Sequence, residues 1–155
     1  MPEQHRSLDE IDTRILEILQ KDCRTPLEQI ANELGVPKST VHYRIKKLEA
    51  EGIIEGYFAK VNAEKVGKDY RTITFVRAKY GPGYHDKIGN MLAQIPGVWA
   101  VYFIYGDIDF IVLARSDCGE NLMEKVEKMI NTQEIERTST HIVAKVIKED
   151  SIIEL

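Results

Sequence analysis

The chain has 155 residues, 43% of them apolar and 30% charged, with a formal charge of −4. That length suits one large domain or two small ones, and no apolar run approaches the ~18 residues a membrane-spanning helix needs. Two cysteines, Cys23 and Cys118, exclude a disulfide framework, and His5, His42, His85 and His141 lie too far apart for metal-ligand spacing. No metal and no cofactor is expected, and a polar N-terminus without the apolar core of a secretion signal reads as that of a cytoplasmic protein.

The first helix opens at Ser7-Leu8-Asp9-Glu10, a capping box ahead of Ile11, Ile15, Leu16, Ile18 and Leu19 on a helical period, and it ends near Asp22-Cys23-Arg24. Thr25 caps a second helix, with Pro26 at its first position and Glu28 three residues after the cap. This helix offers Leu27, Ile30, Ala31 and Leu34 to a shared core. Gly35-Val36-Pro37 bends the chain, and Lys38-Ser39 opens a third helix. There Val41, Ile45 and Leu48 fall on one face, while Ser39, Thr40, His42, Tyr43, Lys46 and Lys47 occupy the other, with Arg44 on the flank.

An apolar back and a basic, hydrogen-bonding front make this the helix-turn-helix pattern, and the partner it implies is double-stranded DNA. Ser39, Thr40, His42 and Tyr43 are candidates for base edges, and Lys38, Arg44, Lys46 and Lys47 for phosphates. Overall acidity does not oppose this, because residues 38–47 hold four basic side chains and no acidic one. A phosphate feels the local patch, within a Debye length of roughly 10 Å. The alternative is a trihelical bundle that contacts only protein.

Gly52 closes the third helix. Ile53 to Val61 reads as a strand or an extended connector, and the polar segment Asn62 to Asp69 marks a boundary between units 1–60 and 61–155. Beyond it the pattern alternates. Arg71–Tyr80 is a β-branched and aromatic strand. Tyr84–Gln94 is a helix burying Ile88, Met91, Leu92 and Ile95. Val98–Tyr105 is an apolar strand, Gly106-Asp107 a hairpin turn, and Ile108–Arg115 the returning strand. Gly119–Asn131 is an amphipathic helix with Leu122, Val126, Met129 and Ile130, on which Glu124, Lys125, Glu127 and Lys128 read as solvated charges. Ile135–Lys148 is the last strand.

The order β-α-β-β-α-β is the ferredoxin-like split motif. The fold class is therefore α+β, a winged or trihelical helix-turn-helix domain followed by a ferredoxin-like domain. Its two helices cover one sheet face only. Because Trp99, Val101 and Phe103 alternate with Ala100, Tyr102 and Ile104, both faces are apolar, and a second copy of the sheet is the expected cover, giving a two-fold homodimer.

A helix-turn-helix opened by LDEIDTRILEILQKDCR, followed by a domain carrying Pro96-Gly97-Val98 and Gly106-Asp107-Ile108-Asp109, resembles the Lrp/AsnC, or feast/famine, regulators. The likeness runs from about Leu8 to the end of the chain and is strongest to small archaeal members. It implies a transcription regulator rather than an enzyme, with no catalytic residues, built of dimers that often assemble into octamers and sensing a small molecule, usually an amino acid, between neighbouring dimers. Carried onto this chain, the effector site comprises Tyr105, Gly106, Asp107, Ile108 and Asp109 with the facing strand Thr138, Ser139 and Thr140.

The chemistry suits those residues. Backbone N–H groups at a glycine turn and threonine hydroxyls donate to a carboxylate, and Asp107 or Asp109 accepts from an ammonium. The alternative is a tight turn beside solvated hydroxyls. The effector's identity is open, with a polar amino acid such as glutamine one candidate. Two rival functions remain. One is an enzyme like the siroheme decarboxylases, which resemble the same family in fold; the other is an amino-acid-sensing subunit that does not bind DNA.

Overall fold

The computed structural model describes residues 8–155, which separate into two compact units, residues 61–147 forming one and the rest, including 148–155, the other. In the first, α1 (Glu10–Lys21), α2 (Leu27–Leu34) and α3 (Lys38–Ala50) close a core around Ile15, Ile30, Val41 and Leu48, all fully buried. These are the apolar positions that the helical spacing selects. Each contributes roughly 1.5–3 kcal/mol by leaving water.

Two helix starts differ from expectation. Ser7 lies outside the described residues, and the cap of α1 is Asp9, whose Oδ1 accepts from Asp12 N at 2.9 Å. Pro26, not Thr25, stands at the start of α2, because the Thr25 hydroxyl donates backward to Asp22 O at 2.8 Å. Gly35 closes α2 with φ 66°, the left-handed conformation that lets the chain turn sharply into α3. After α3, Gly52 turns with φ 69° and Ile53 N donates to Leu48 O at 2.9 Å. Residues 53–61 then form no strand, so of the two readings the extended connector is observed.

The last eight residues group with this unit, which nothing in the sequence signalled. The Gln20 side chain holds them: Ile153 N donates to Gln20 Oε1 at 2.7 Å, and Gln20 Nε2 donates to Ile153 O at 3.0 Å.

The second unit is an antiparallel sheet of β1 (Tyr70–Ala78), β2 (Val98–Phe103), β3 (Phe110–Ser116) and β4 (Ile135–Ile142), in the order β2-β3-β1-β4, with helices α4 (Tyr84–Ala93) and α5 (Gly119–Ile130). The order is that of the split motif. Alternate residues of β1 and β3, among them Val76, Ala78, Phe110 and Val112, are buried in the core with Ile88, Leu92 and Met129 of the helices. In register on the other face stand Ile73 opposite Leu113, and Phe75 opposite Ile111 with Tyr102 beside it. β4 ends at Ile142, opposite Thr72, rather than at Lys148; one further bond, from Val143 N to Arg71 O at 2.9 Å, follows before the chain leaves the sheet.

Candidate nucleic-acid interface and effector turn

On α3 the buried stripe Val41, Ile45 and Leu48 anchors one face and turns Lys38, Ser39, His42, Tyr43 and Lys46 to the surface. Tyr43 is 62% exposed, although nothing in its own chain requires an aromatic ring to stand in water. Thr40 and Lys47 are half-buried. Lys46 pairs with Glu49 at 2.7 Å, and Glu49 also accepts from the Tyr57 hydroxyl at 2.9 Å. Lys46 first, and Tyr57 second, hold the Glu49 carboxyl below its usual range, while burial and then Glu49 push the Tyr57 hydroxyl up to about 12.

Arg44 stands apart from the other basic residues. Its guanidinium pairs with Asp9 and, at 3.2 Å, with Asp12, a carboxylate only 1% exposed. The N–H of Asp12 and then Arg44 hold the Asp9 carboxyl below its ordinary value. A guanidinium so engaged ties α3 to the N-terminal end of α1 and is not an unencumbered phosphate ligand.

In the second unit, residues 104–109 connect β2 to β3, with Ile104 N donating to Asp109 O at 2.8 Å. Tyr105 is 95% exposed, and Gly106 (φ 150°) and Asp107 are exposed beside it. Asp109 is not: at 4% exposure its carboxylate accepts from Ala78 N at 2.8 Å and from the Tyr84 hydroxyl at 3.3 Å. It braces the turn from inside and is not offered to a ligand. Burial and then Asp109 push the Tyr84 hydroxyl up. Around this end of the sheet Phe103 makes edge or tilted ring contacts with Tyr84, His85, Tyr105 and Phe110, a cluster the sequence reading did not assemble. A signal existed in Ile108-Asp109-Phe110, a carboxylate flanked by apolar residues where a strand begins.

One threonine of β4 has a partner within its own sheet. Thr140 shares a 3.0 Å hydrogen bond with the buried Thr74, so its hydroxyl is already engaged. Ser139 is exposed and bonded to His141 Nε2 at 3.1 Å. Because β1 lies between β3 and β4, the turn and Thr138–Thr140 do not meet in one protomer. Among the described residues no group of His, Cys, Asp or Glu is arranged to hold a metal, and no helix is long and apolar enough to cross a membrane.

Comparison with known proteins places these features. Residues 8–55 match the family model for winged helix-turn-helix DNA-binding, and residues 73–153 match that for the Lrp/AsnC ligand binding domain. The chain is 37% identical to an uncharacterized HTH-type transcriptional regulator of Pyrococcus abyssi, over 95% of its own length and 99% of that protein. A second HTH-type transcriptional regulator, from Pyrococcus furiosus, is also 37% identical, over 92% and 93% of the two chains. Among solved structures, AsnC of E. coli superposes with a TM-score of 0.86 at 25% identity, covering 95% of this chain and 99% of that one. A transcriptional regulator of Neisseria meningitidis, solved in complex with L-Met, shares the fold at a TM-score of 0.89 and 20% identity, covering 96% and 97%.

Proposed function

The chain belongs to the Lrp/AsnC family of transcriptional regulators, with a DNA-binding helix-turn-helix and a ligand-binding second domain, and from that premise we propose how its own residues divide the work. The carrying observation is the two-sidedness of α3, whose back is fixed in the core while Ser39, His42 and Tyr43 stand free. These three read base edges in the major groove, with Thr40 at their margin. Lys38, Lys46 and Lys47 position the helix on phosphates. Arg44 acts indirectly, holding α3 at a fixed angle to α1.

Two copies of the chain work together. The apolar sheet face of Ile73, Phe75, Tyr102, Ile111 and Leu113 is the one opposite α4 and α5, and a second copy covering it forms a two-fold dimer. Such a dimer reads inverted half-sites about one helical turn apart, or multiples of that.

The effector is a small amino acid. Its carboxylate takes backbone N–H groups around Gly106 and its ammonium is held by Asp107, while the Thr138–Thr140 strand is supplied by another protomer. This makes the site one between chains and favours assembly of dimers into larger rings. Effector binding alters DNA affinity only through its unequal affinity for two assembly or spacing states. Acting on the chromosome, the protein works in the cytoplasm.

A gel shift on the DNA upstream of its own coding region, with and without the twenty amino acids, tests this reading. A specific shift altered by one of them is expected. Amino-acid binding with no shift on any DNA would replace the regulator mechanism with that of a sensing subunit.

A further inference from the structure

In the second unit, between α5 and the segment that leads into β1, lies an open groove of about 510 Å³. That volume is within the roughly 300–1,000 Å³ of small-molecule sites. Val61, Val66 and Pro96 give it an apolar wall, and Lys68, Arg115 and Lys125 give it positive charge; none of its lining residues is acidic. None of them belongs to the 104–109 turn.

Lys125 is the unusual member. It is only 6% exposed, and its ammonium donates to Ser116 Oγ at 2.9 Å and to Asn121 O and Oδ1 at 3.2 Å each. All three are neutral oxygens, and among the described residues no carboxylate forms an ion pair with it. A buried cation bonded directly to neutral groups alone gains from an anion brought beside it. Burial pushes its pKa down, and the nearby Asp117 carboxylate offsets this only in part. At the rim, Asp117 is already committed, to Lys68 at 2.8 Å and to Asn121 Nδ2 at 2.7 Å. Lys68 is itself half exposed and able to swing toward a ligand.

Gly97 shapes the floor. Its φ is +87°, and a Cβ built there would lie 2.5 Å from Arg115 O and 2.7 Å from Lys125 Cε. Only glycine lets the lysine stem lie against that turn.

We propose that this groove is a second ligand site, separate from the effector turn, and that it takes a small organic carboxylate with an apolar body and no ammonium group. The carboxylate lies against Lys68 and Lys125, and the apolar body rests on Val61, Val66 and Pro96. A free amino acid is disfavoured because its ammonium would lie beside Lys68 and Lys125, while the rim carboxylate of Asp117 is already committed to Lys68 and Asn121.

Isothermal titration of the full-length protein with 3-methylbutanoate, and separately with 3-methylbutan-1-amine, tests this. The acid should give a saturable heat and the amine none. Lys125→Met should weaken the acid by about tenfold or more, the loss of one charge-assisted contact, and Lys68→Met severalfold. Asp107→Asn, at the other site, should leave the acid's binding intact. No saturable heat, equal binding of acid and amine, or indifference to both lysine variants overturns the proposal. Loss of the heat in Asp107→Asn overturns it too, by assigning the acid to the turn. Should Lys125→Met fail to fold, the exposed Lys68→Met decides.

Discussion

Helices α3 and α5 are nearly equal in length, at 13 and 12 residues, and each buries one stripe in the core of its own unit, yet they treat charge in opposite ways. α3 keeps Lys38 and Lys46 at the surface and neutralises Arg44, which turns inward, with two carboxylates. α5 leaves Lys128 in solvent and draws Lys125 inward among neutral oxygens. The difference teaches that a basic residue's sign says little about its task. What decides is whether the fold supplies its counter-charge. A cation paired with a buried carboxylate is scaffolding; one held by neutral groups, or paired only at the surface, remains available to a partner.

Four outcomes would sharpen or break that contrast. The largest concerns the free front of α3. Tyr43→Ala should weaken binding to the specific operator by roughly ten- to a hundredfold, in line with about 1–3 kcal/mol for a base contact, and leave binding to competitor DNA unchanged in a competition gel shift. Equal weakening on all sequences would remove Tyr43 from base readout.

Next comes the paired cation. Arg44→Met should lower Tm by about 5 °C at neutral pH, measured by calorimetry, because its ion pairs with Asp9 and the buried Asp12 are lost. The pH dependence follows from Asp9, whose folded pKa lies below the ordinary 3.8. Its contribution to stability is present above 3.8 and disappears as pH falls through the depressed value, so wild type and variant should converge in acid. A constant gap across pH would mean that packing, not charge, is lost.

Smaller still, Lys46→Ala should weaken binding a few-fold to every sequence alike and reduce the slope of log affinity against log salt by about one. An unchanged slope would show that its pairing with Glu49 already removes it from the phosphates. Smallest is Lys125→Met, which should shift Tm by no more than about 2 °C, since an apolar side chain of similar length removes the cost of burying a charge. A large loss would mean that the ammonium's bonds to Ser116 and Asn121 hold the fold.

Element order was legible because apolar spacing is a local property: Val41, Ile45 and Leu48, or Ile88 and Leu92, announce their helices without reference to the rest of the chain. Roles that depend on distant partners were not. Arg44 meets Asp9 across 35 positions, Thr140 meets Thr74 across 66, and the Asp109 carboxylate meets Ala78 N across 31. In the linear chain Asp109 looks like Asp107, a carboxylate beside a glycine turn; only the sheet register buries one and exposes the other. Lys125 was hidden differently. Its partners are near in sequence, at Asn121 and Ser116, but a lysine among alternating charges reads as solvated until α5 is laid against the end of β3.

The clasp between Gln20 and Ile153 bears on inheritance. A carboxamide that both gives to and takes from a peptide group recognises main chain, which every residue except proline presents alike. Ile153 itself is 67% exposed, so its side chain has little part in the grip. Mutations can therefore rewrite the tail residue by residue while its attachment to α1 persists, whereas Gln20→Glu deletes the donor and Gln20→Leu deletes both halves. The freedom to vary at one end of the chain thus rests on side chains elsewhere that read only its backbone, Gln20 foremost.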